Sequence, residues 1–256
     1  MERCTQAIEA HVEREHWWFR GRRRLVGGLI RALGIPPTAQ ALDVGCGTGS
    51  NLRLLVDLGF EDVTGLDRSE EAVRWCREKG LPPVELGDIC DLPFPEDHFD
   101  LVLAADVLEH VDEPATAVAE LHRVLRPGGT LIATVPAFES LWGLQDDVSH
   151  HKRRYRRDEL VAQLRAAGFA VTRSFYFNFL LFAPIWLARQ LIRWLGIELA
   201  SENEINTRWL NGVLARIFAL DVWAAPRLRP RFGVSILAVA RRPDAATAAR
   251  LMAQSS

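Results

Sequence analysis

The sequence predicts an α/β fold, a parallel and doubly wound sheet flanked by helices, on three observations. A short run, Ala41-Leu42-Asp43-Val44, breaks into alternating glycines at Gly45, Gly47 and Gly49 and then into the helical spacing of Leu52, Leu54, Leu55 and Leu58. Residues 99–105 read as a strand buried on both faces, the habit of parallel sheets. From residue 41 onward strand and helix patterns alternate with little slack, which is the signature of βαβ units.

In chain order, residues 5–34 read as a helical extension, with Trp17, Trp18, Leu25, Leu29 and Leu33 near helical spacing. It carries His16-Trp17-Trp18-Phe19 followed by Arg20, Arg22, Arg23 and Arg24. Two readings stand together: an amphipathic helix packing its aromatics on the domain, and a lid whose arginine meets a carboxylate. Gly34, Pro36 and Pro37 close it. Strand one follows near 40–44, with its helix near 50–58. Strand two, 63–67, precedes a helix capped by Ser69, with Glu70 and Glu71 in the first turn where negative charge is favoured. Strand three lies near 84–86 and ends at Gly87-Asp88. After strand four, a helix over 114–125 begins on Pro114, and Gly128 stands just past its end. Residues 130–135 form strand five. A helix over 158–167 closes on Gly168, residues 169–177 form strand six, and 232–241 the last strand.

Composition bounds the class. A chain of 256 residues, 48% hydrophobic and 25% charged, holds one large core, or one core with an appended subdomain. The net charge of -2 provides no basic field for nucleic acid. Cys4, Cys46, Cys76 and Cys90 are scattered, which favours a reduced, cytoplasmic setting over a disulfide framework. The first residues lack the apolar stretch of a signal peptide.

The glycine turn and the helix start behind it make a polar cradle at the carboxyl end of strand one, where open α/β sheets bind ligands. Asp67, roughly 20 residues beyond Gly45, stands where doubly wound folds accept ribose hydroxyls, so the ligand contains adenosine. Ser50 occupies the place where a dinucleotide fingerprint would set its third glycine.

With Leu42-Asp43-Val44-Gly45-Cys46-Gly47-Thr48-Gly49, Gly65-Leu66-Asp67, Gly87-Asp88-Ile89, Asp106-Val107-Leu108-Glu109-His110 and Leu125-Arg126-Pro127-Gly128-Gly129 in this order, the chain resembles a class I S-adenosylmethionine-dependent methyltransferase. The resemblance implies S-adenosylmethionine as cofactor and a Rossmann-like sheet of seven strands whose last strand is antiparallel, so that strands six and seven pair as a hairpin. It also implies roles. The glycine loop (Gly45, Cys46, Gly47, Gly49) backs the methionine part, Asp67 holds the ribose, Asp88 takes the adenine amine and Ile89 caps the ring. Asp43, Asn51, Arg68 and Ala105 are counted among the cofactor's neighbours. The chain then divides into a helical lid (1–37), a cofactor-binding domain (38–242) with a helical insertion (178–231), and a tail (243–256).

Methyl transfer from a sulfonium is an in-line displacement, for which the protein supplies orientation and a dry site. A hydroxyl acceptor also needs a base. Asp106, Glu109 and His110 follow strand four, while His150 and His151 follow strand five. The candidate catalytic residues are therefore His150, His151, Asp106 and His110. The spacing Asp106-x-x-Glu109-His110 resembles the E-x-x-E-H plus His arrangement of ubiquinone-pathway O-methyltransferases, where a divalent cation is implied, with Asp in place of the first Glu. Whether a metal is used stays open. The expectation is that these side chains serve caps and core hydrogen bonds and that chelation leaves turnover intact. The run His151-Lys152-Arg153-Arg154-Tyr155-Arg156-Arg157 crowds cations at the positive end of the next helix, which points to a substrate anion.

Residues 178–231 are apolar where a minimal domain would have a tight turn. Pro184, Arg189 and Arg193 interrupt the first piece, which excludes a membrane span. Three readings remain: a substrate lid, a homodimer face, or an in-plane membrane anchor that would make the protein peripheral at a membrane. The expected function is a methyltransferase, acting at oxygen, with a small-molecule or lipid-linked and anionic acceptor. The alternatives are a nucleotide-cofactor oxidoreductase, which Ser50 and the Leu-Arg-Pro-Gly-Gly turn oppose, and a non-catalytic binding or scaffold subunit.

Overall fold

The computed structural model describes residues 10–195 and 208–244. The start of the expected lid, the middle of the insertion and most of the expected tail lie outside these residues. The strands are β1 (Gln40–Val44), β2 (Asp62–Asp67), β3 (Val84–Leu86), β4 (Phe99–Ala105), β5 (Leu125–Pro136), β6 (Ala170–Phe177) and β7 (Ser235–Arg241). They form one sheet in the order β3-β2-β1-β4-β5-β7-β6. β1 to β5 run parallel, and β7 lies antiparallel to both β5 and β6. The order reverses between β1 and β4, and the crevice at their carboxyl ends is where such sheets take ligands. The Leu-Arg-Pro-Gly-Gly segment is not a turn ahead of β5 but its first part. Leu125 pairs with Phe99, the register then shifts before Leu101, and Gly128 N–H donates to the Arg242 carbonyl across the sheet.

The helices are α1 (Trp17–Leu33), α2 (Ser50–Asp57), α3 (Glu70–Glu78), α4 (Pro114–Val124), α5 (Leu144–Val148), α6 (Arg157–Ala166), α7 (Phe182–Leu195) and α8 (Arg208–Leu228). A helical stretch over 10–15 precedes α1. Period-two alternation splits the central strands between two cores. Val102 and Ala104 of β4 face the core shared with α4 and α6, where Leu121, Leu160 and Leu164 are buried. Leu101 and Leu103 face the opposite core with α1, α2 and α8, among Leu25, Ile30, Leu52, Leu55 and Phe218. Burial on both faces explains why β4 lacks an apolar/polar alternation.

The two tryptophans of α1 pack on the domain, as the amphipathic reading expects. Trp18 stacks on both Phe177 and Phe218, at ring-centroid distances of 5.6 and 5.3 Å, and Trp17 meets Phe218 edge-on at 5.2 Å. Gly21 permits this crossing, since a side chain there would overlap the Phe218 ring. The described residues of the insertion form two helices tied back to the domain. The buried Asp221 of α8 accepts from the amides of Asn178 (2.6 Å) and Leu180 (2.8 Å), while Gln190 and Arg189 of α7 donate to the carbonyls of Ser140 and Leu141. Among the described residues, no helix is long and apolar enough to cross a membrane.

Candidate active site

The loop after β1 is bent by backbone geometry that requires glycine. Gly45, Gly47 and Gly49 all have positive φ. A Cβ at Gly45 would lie 2.6 Å from Val107 Cγ2. The amides of Gly45 and Cys46 both donate to the Leu66 carbonyl, at 2.7 and 3.1 Å, which docks the loop on the end of β2. Asp67, at that end, accepts from Gly47 N–H at 2.8 Å and Ser69 N–H at 2.9 Å, so it braces the loop and the start of α3 together.

Asp43 is fully buried. One oxygen accepts from Asn51 Nδ2 at 3.2 Å and the other has no partner, and burial pushes the carboxyl up to about 7. Asp88 is exposed at the sheet edge, accepting from Cys90 N–H at 2.8 Å, with Ile89 buried beside it. Ala105 is half-buried at the end of β4, and Arg68 is exposed. Two further residues join the site, of which Glu13 escaped the sequence reading. Glu13 accepts from Thr48 Oγ1 at 2.6 Å, and Arg22 donates to Asp106. Both come from the N-terminal helices, tens of residues from their partners, so no local pattern announces them. Arg22 is thus the expected arginine that meets a carboxylate, and the carboxylate is the protein's own.

The charge balance here fits S-adenosylmethionine. Glu13, Asp43, Asp67 and Asp106 surround the loop, with Arg22 as the buried cation among them. An acid-rich cradle with an orphaned carboxylate oxygen suits a ligand carrying an ammonium and a sulfonium.

The candidate catalytic residues lie in two loops, those after β4 and after β5. Asp106 has φ +57, a conformation unusual outside glycine. Its amide donates to the Thr134 carbonyl, and its carboxylate accepts from Thr134 Oγ1 (2.9 Å) and Arg22. Those bonds hold it away from the role of base. Glu109 and His110 sit in the short 3-10 turn Leu108–His110. His151 approaches from the loop after β5, its ring 4.7 Å from that of His110 and its Nε2 4.0 Å from Glu109 Oε1. His150, the fourth candidate, is not part of this cluster. It lies exposed in a turn at φ +54.

Asp146 organises the cluster, and the sequence reading passed it over. It is fully buried, 2.8 Å from His151 Nδ1, and takes two hydrogen bonds from Arg154 at 2.8 and 2.9 Å. Burial alone would raise its carboxyl, but the bonds from His151 and Arg154 outweigh it and hold it at about 2. An ionised carboxylate only accepts, so His151 donates from Nδ1 and turns Nε2 towards Glu109. Burial, with His151 alongside, lowers His110 to about 4, so it is neutral at pH 7.

Neither carboxylate oxygen of the fully buried Glu109 has a hydrogen-bond partner, and burial raises its carboxyl well above the usual range. The expectation of caps and core hydrogen bonds therefore fails at this residue. Ligand atoms of Glu109, His110 and His151 lie within 4.8 Å of one another, a donor set of one carboxylate and two imidazoles that suits a divalent cation. Asp106, first in the D-x-x-E-H spacing, is committed elsewhere.

The basic run is largely paired within the chain. Arg154 is spent on Asp146, Lys152 pairs with Asp112, Arg153 donates to the Asp112 carbonyl and Arg157 pairs with Asp158. Carboxylates of this chain thus answer several cations of the run, in which at least one residue was expected to meet a substrate anion. A cavity of about 850 Å³ between α1, α2 and α3 is lined by Arg23, Arg31, Arg53 and Lys79 together with Glu13, Thr48 and Ser50, so it adjoins the cofactor loop while touching neither Asp43 nor the histidines.

Comparison with known proteins bears on this arrangement. Residues 42–133 match a family described as a methyltransferase domain. The chain is 30% identical over 205 residues to a demethylmenaquinone methyltransferase of Geobacillus stearothermophilus, covering 66% of this chain and 88% of the relative. It is 36% identical over 118 residues to a 2-methyl-6-phytyl-1,4-hydroquinone methyltransferase of Synechocystis, covering 44% and 35%. A solved S-adenosylmethionine-dependent methyltransferase from Mesorhizobium loti superposes with a TM-score of 0.55 at 22% identity, over 84% of this chain and 96% of that one, which shows the shared fold. For four of the curated relatives, the chain spans 34% to 66% of their own length.

Proposed function

The chain belongs to the class I S-adenosylmethionine-dependent methyltransferases, and on that premise we propose that it moves a methyl group from S-adenosylmethionine to a hydroxyl of a small-molecule acceptor. The single observation carrying this reading is the His151–Asp146 pair, set against Glu109 and His110 of the loop after β4. When bound, the cofactor supplies a methyl group on a positively charged sulfur. Asp67 and the glycine loop orient it, and Asp43 balances its charge. His151 takes the acceptor's hydroxyl proton at Nε2, and the ionised Asp146 stabilises the imidazolium so formed.

The names of the Geobacillus and Synechocystis relatives support an acceptor built on a quinol ring with an apolar tail. The apolar α7, tied to the loop at 140–141, offers such a tail a surface close to Asp146. The orphaned Glu109 favours a second use of the same cluster. Glu109, His110 and His151 would hold a divalent cation, which would make an acceptor hydroxyl more acidic.

Transfer of labelled methyl from S-adenosylmethionine to a panel of prenylated hydroquinones and simple catechols tests the reading, with the methylated atom located by NMR. O-methylation of at least one acceptor is expected. Calorimetric binding of S-adenosylmethionine without transfer to any acceptor would favour the non-catalytic subunit, and binding of NADH in its place the oxidoreductase.

A further inference from the structure

The outward faces of α7 and α8 combine large aromatics with arginine. On α8, Trp209, Arg216, Leu220, Trp223 and Arg227 recur at spacings of three, four or seven and form one exposed stripe, with Trp209 76% and Trp223 60% accessible. On α7, Leu187, Leu191 and Trp194 do the same, and Trp194 is 82% accessible. The Arg227 guanidinium lies 4.7 Å from the centre of the Trp223 ring. Exposed Arg229, Arg231 and Phe232 follow α8, and Phe232 meets Phe182 at 5.3 Å, which joins the end of one patch to the start of the other. The opposite side of α8, with Phe218, Val222 and Ala225, is consumed by the core, so the exposed stripe is not a misplaced interior.

Charge selects the partner. Among the described residues of this segment the one carboxylate is Asp221, fully buried and clamped on backbone amides. Glu198, Glu202 and Glu204 lie outside the described residues. Every charged side chain described on the exposed stripe is therefore an arginine. We propose that α7 and α8 lie in the plane of an anionic lipid surface, with the tryptophans at the apolar boundary and the arginines on headgroup phosphates. Tryptophan favours that depth because one end of its ring system is apolar and the other donates a hydrogen bond. Neither helix is long and apolar enough to cross, which leaves the interfacial mode. A second copy of the chain would set Arg216, Arg227 and Arg229 against like charges, whereas phosphates neutralise them. Docking needs neither cofactor nor turnover, so it stands or falls apart from the methyl-transfer reading. If both hold, an acceptor with an apolar tail is delivered from the bilayer to the helix tied beside Asp146.

Co-sedimentation of the full chain with vesicles decides the matter, comparing pure phosphatidylcholine with equal parts phosphatidylcholine and phosphatidylglycerol. Pelleting is expected with the anionic vesicles alone. It should weaken by about tenfold or more in Arg227→Glu/Arg229→Glu/Arg231→Glu and in Trp209→Ser/Trp223→Ser, since each arginine and each boundary ring contributes separately. These positions are exposed, and unchanged thermal unfolding of both variants checks the fold. A protein that stays in the supernatant with both vesicles overturns the proposal. So does pelleting that both variants retain, or a concentration-dependent dimer by light scattering that Trp209→Ser/Trp223→Ser abolishes.

Discussion

Asp146 Oδ1 lies 2.8 Å from His151 Nδ1 while Arg154 closes on both oxygens of the same carboxylate. One buried acid thus sets the tautomer of the proposed base and satisfies a buried guanidinium. Asp146→Asn keeps the shape and removes the charge. Breaking a buried ion pair is expected to cost roughly 3–5 kcal/mol in urea unfolding. In the wild type this contribution is full above the ordinary carboxyl value near 3.8 and is lost as pH falls towards about 2, because the folded carboxyl is depressed. The Asn variant should lack that acid-side loss.

The two adjacent histidines separate by environment. His151→Ala should lower kcat by about 100-fold or more, the scale of a lost general base. His150→Ala, at an exposed turn, should leave turnover within about twofold, since nothing in the cluster touches it. Steady-state kinetics with the best acceptor of the panel compares them.

Asp67 braces the loop after β1 and the start of α3 through two amides, and is the residue expected to hold the ribose. Asp67→Ala should weaken S-adenosylmethionine binding by about 1–3 kcal/mol, read by calorimetry as a roughly 5- to 150-fold rise in Kd.

The buried Asp43 carries a pH signature of its own. Its folded carboxyl is raised from 3.8 to about 7, so the folded protein holds that proton more tightly than the unfolded chain. The ligand-free protein should therefore lose stability as pH climbs from about 4 to 7, by up to about 4 kcal/mol from this group. Asp43→Asn should flatten that fall, measured by denaturant unfolding at pH 5 and pH 8.

Glu109 is expected to declare itself through metal rather than through stability alone. Zn²⁺ or Mg²⁺ should raise the melting temperature of the wild type and leave Glu109→Gln unmoved, since the amide removes the charged ligand. A wild type indifferent to both ions and to chelation would leave base catalysis by His151 as the single use of the cluster.

The residues themselves carried the glycine loop, the strand and helix alternation and the acid at Asp67, because each rests on local rules. Positive φ asks for glycine at 45, 47 and 49, a continuous apolar run marks β4, and period 3.6 marks α2. The D-x-x-E-H spacing likewise pointed to Glu109 and His110. Its meaning changed once Asp106 was seen bound to Arg22, 84 residues away in sequence.

What the chain's order of residues determined alone was the doubly wound sheet and the place of its cofactor cradle. The choice of His151 over His150, the hand of Asp146 behind it, the internal pairing of the basic run and the outward turn of Trp194, Trp209 and Trp223 belonged to the tertiary structure. Periodicity and turn chemistry act between near neighbours. The partner of a buried charge and the burial of a ring depend on which distant segments meet, and only the packed fold decides that.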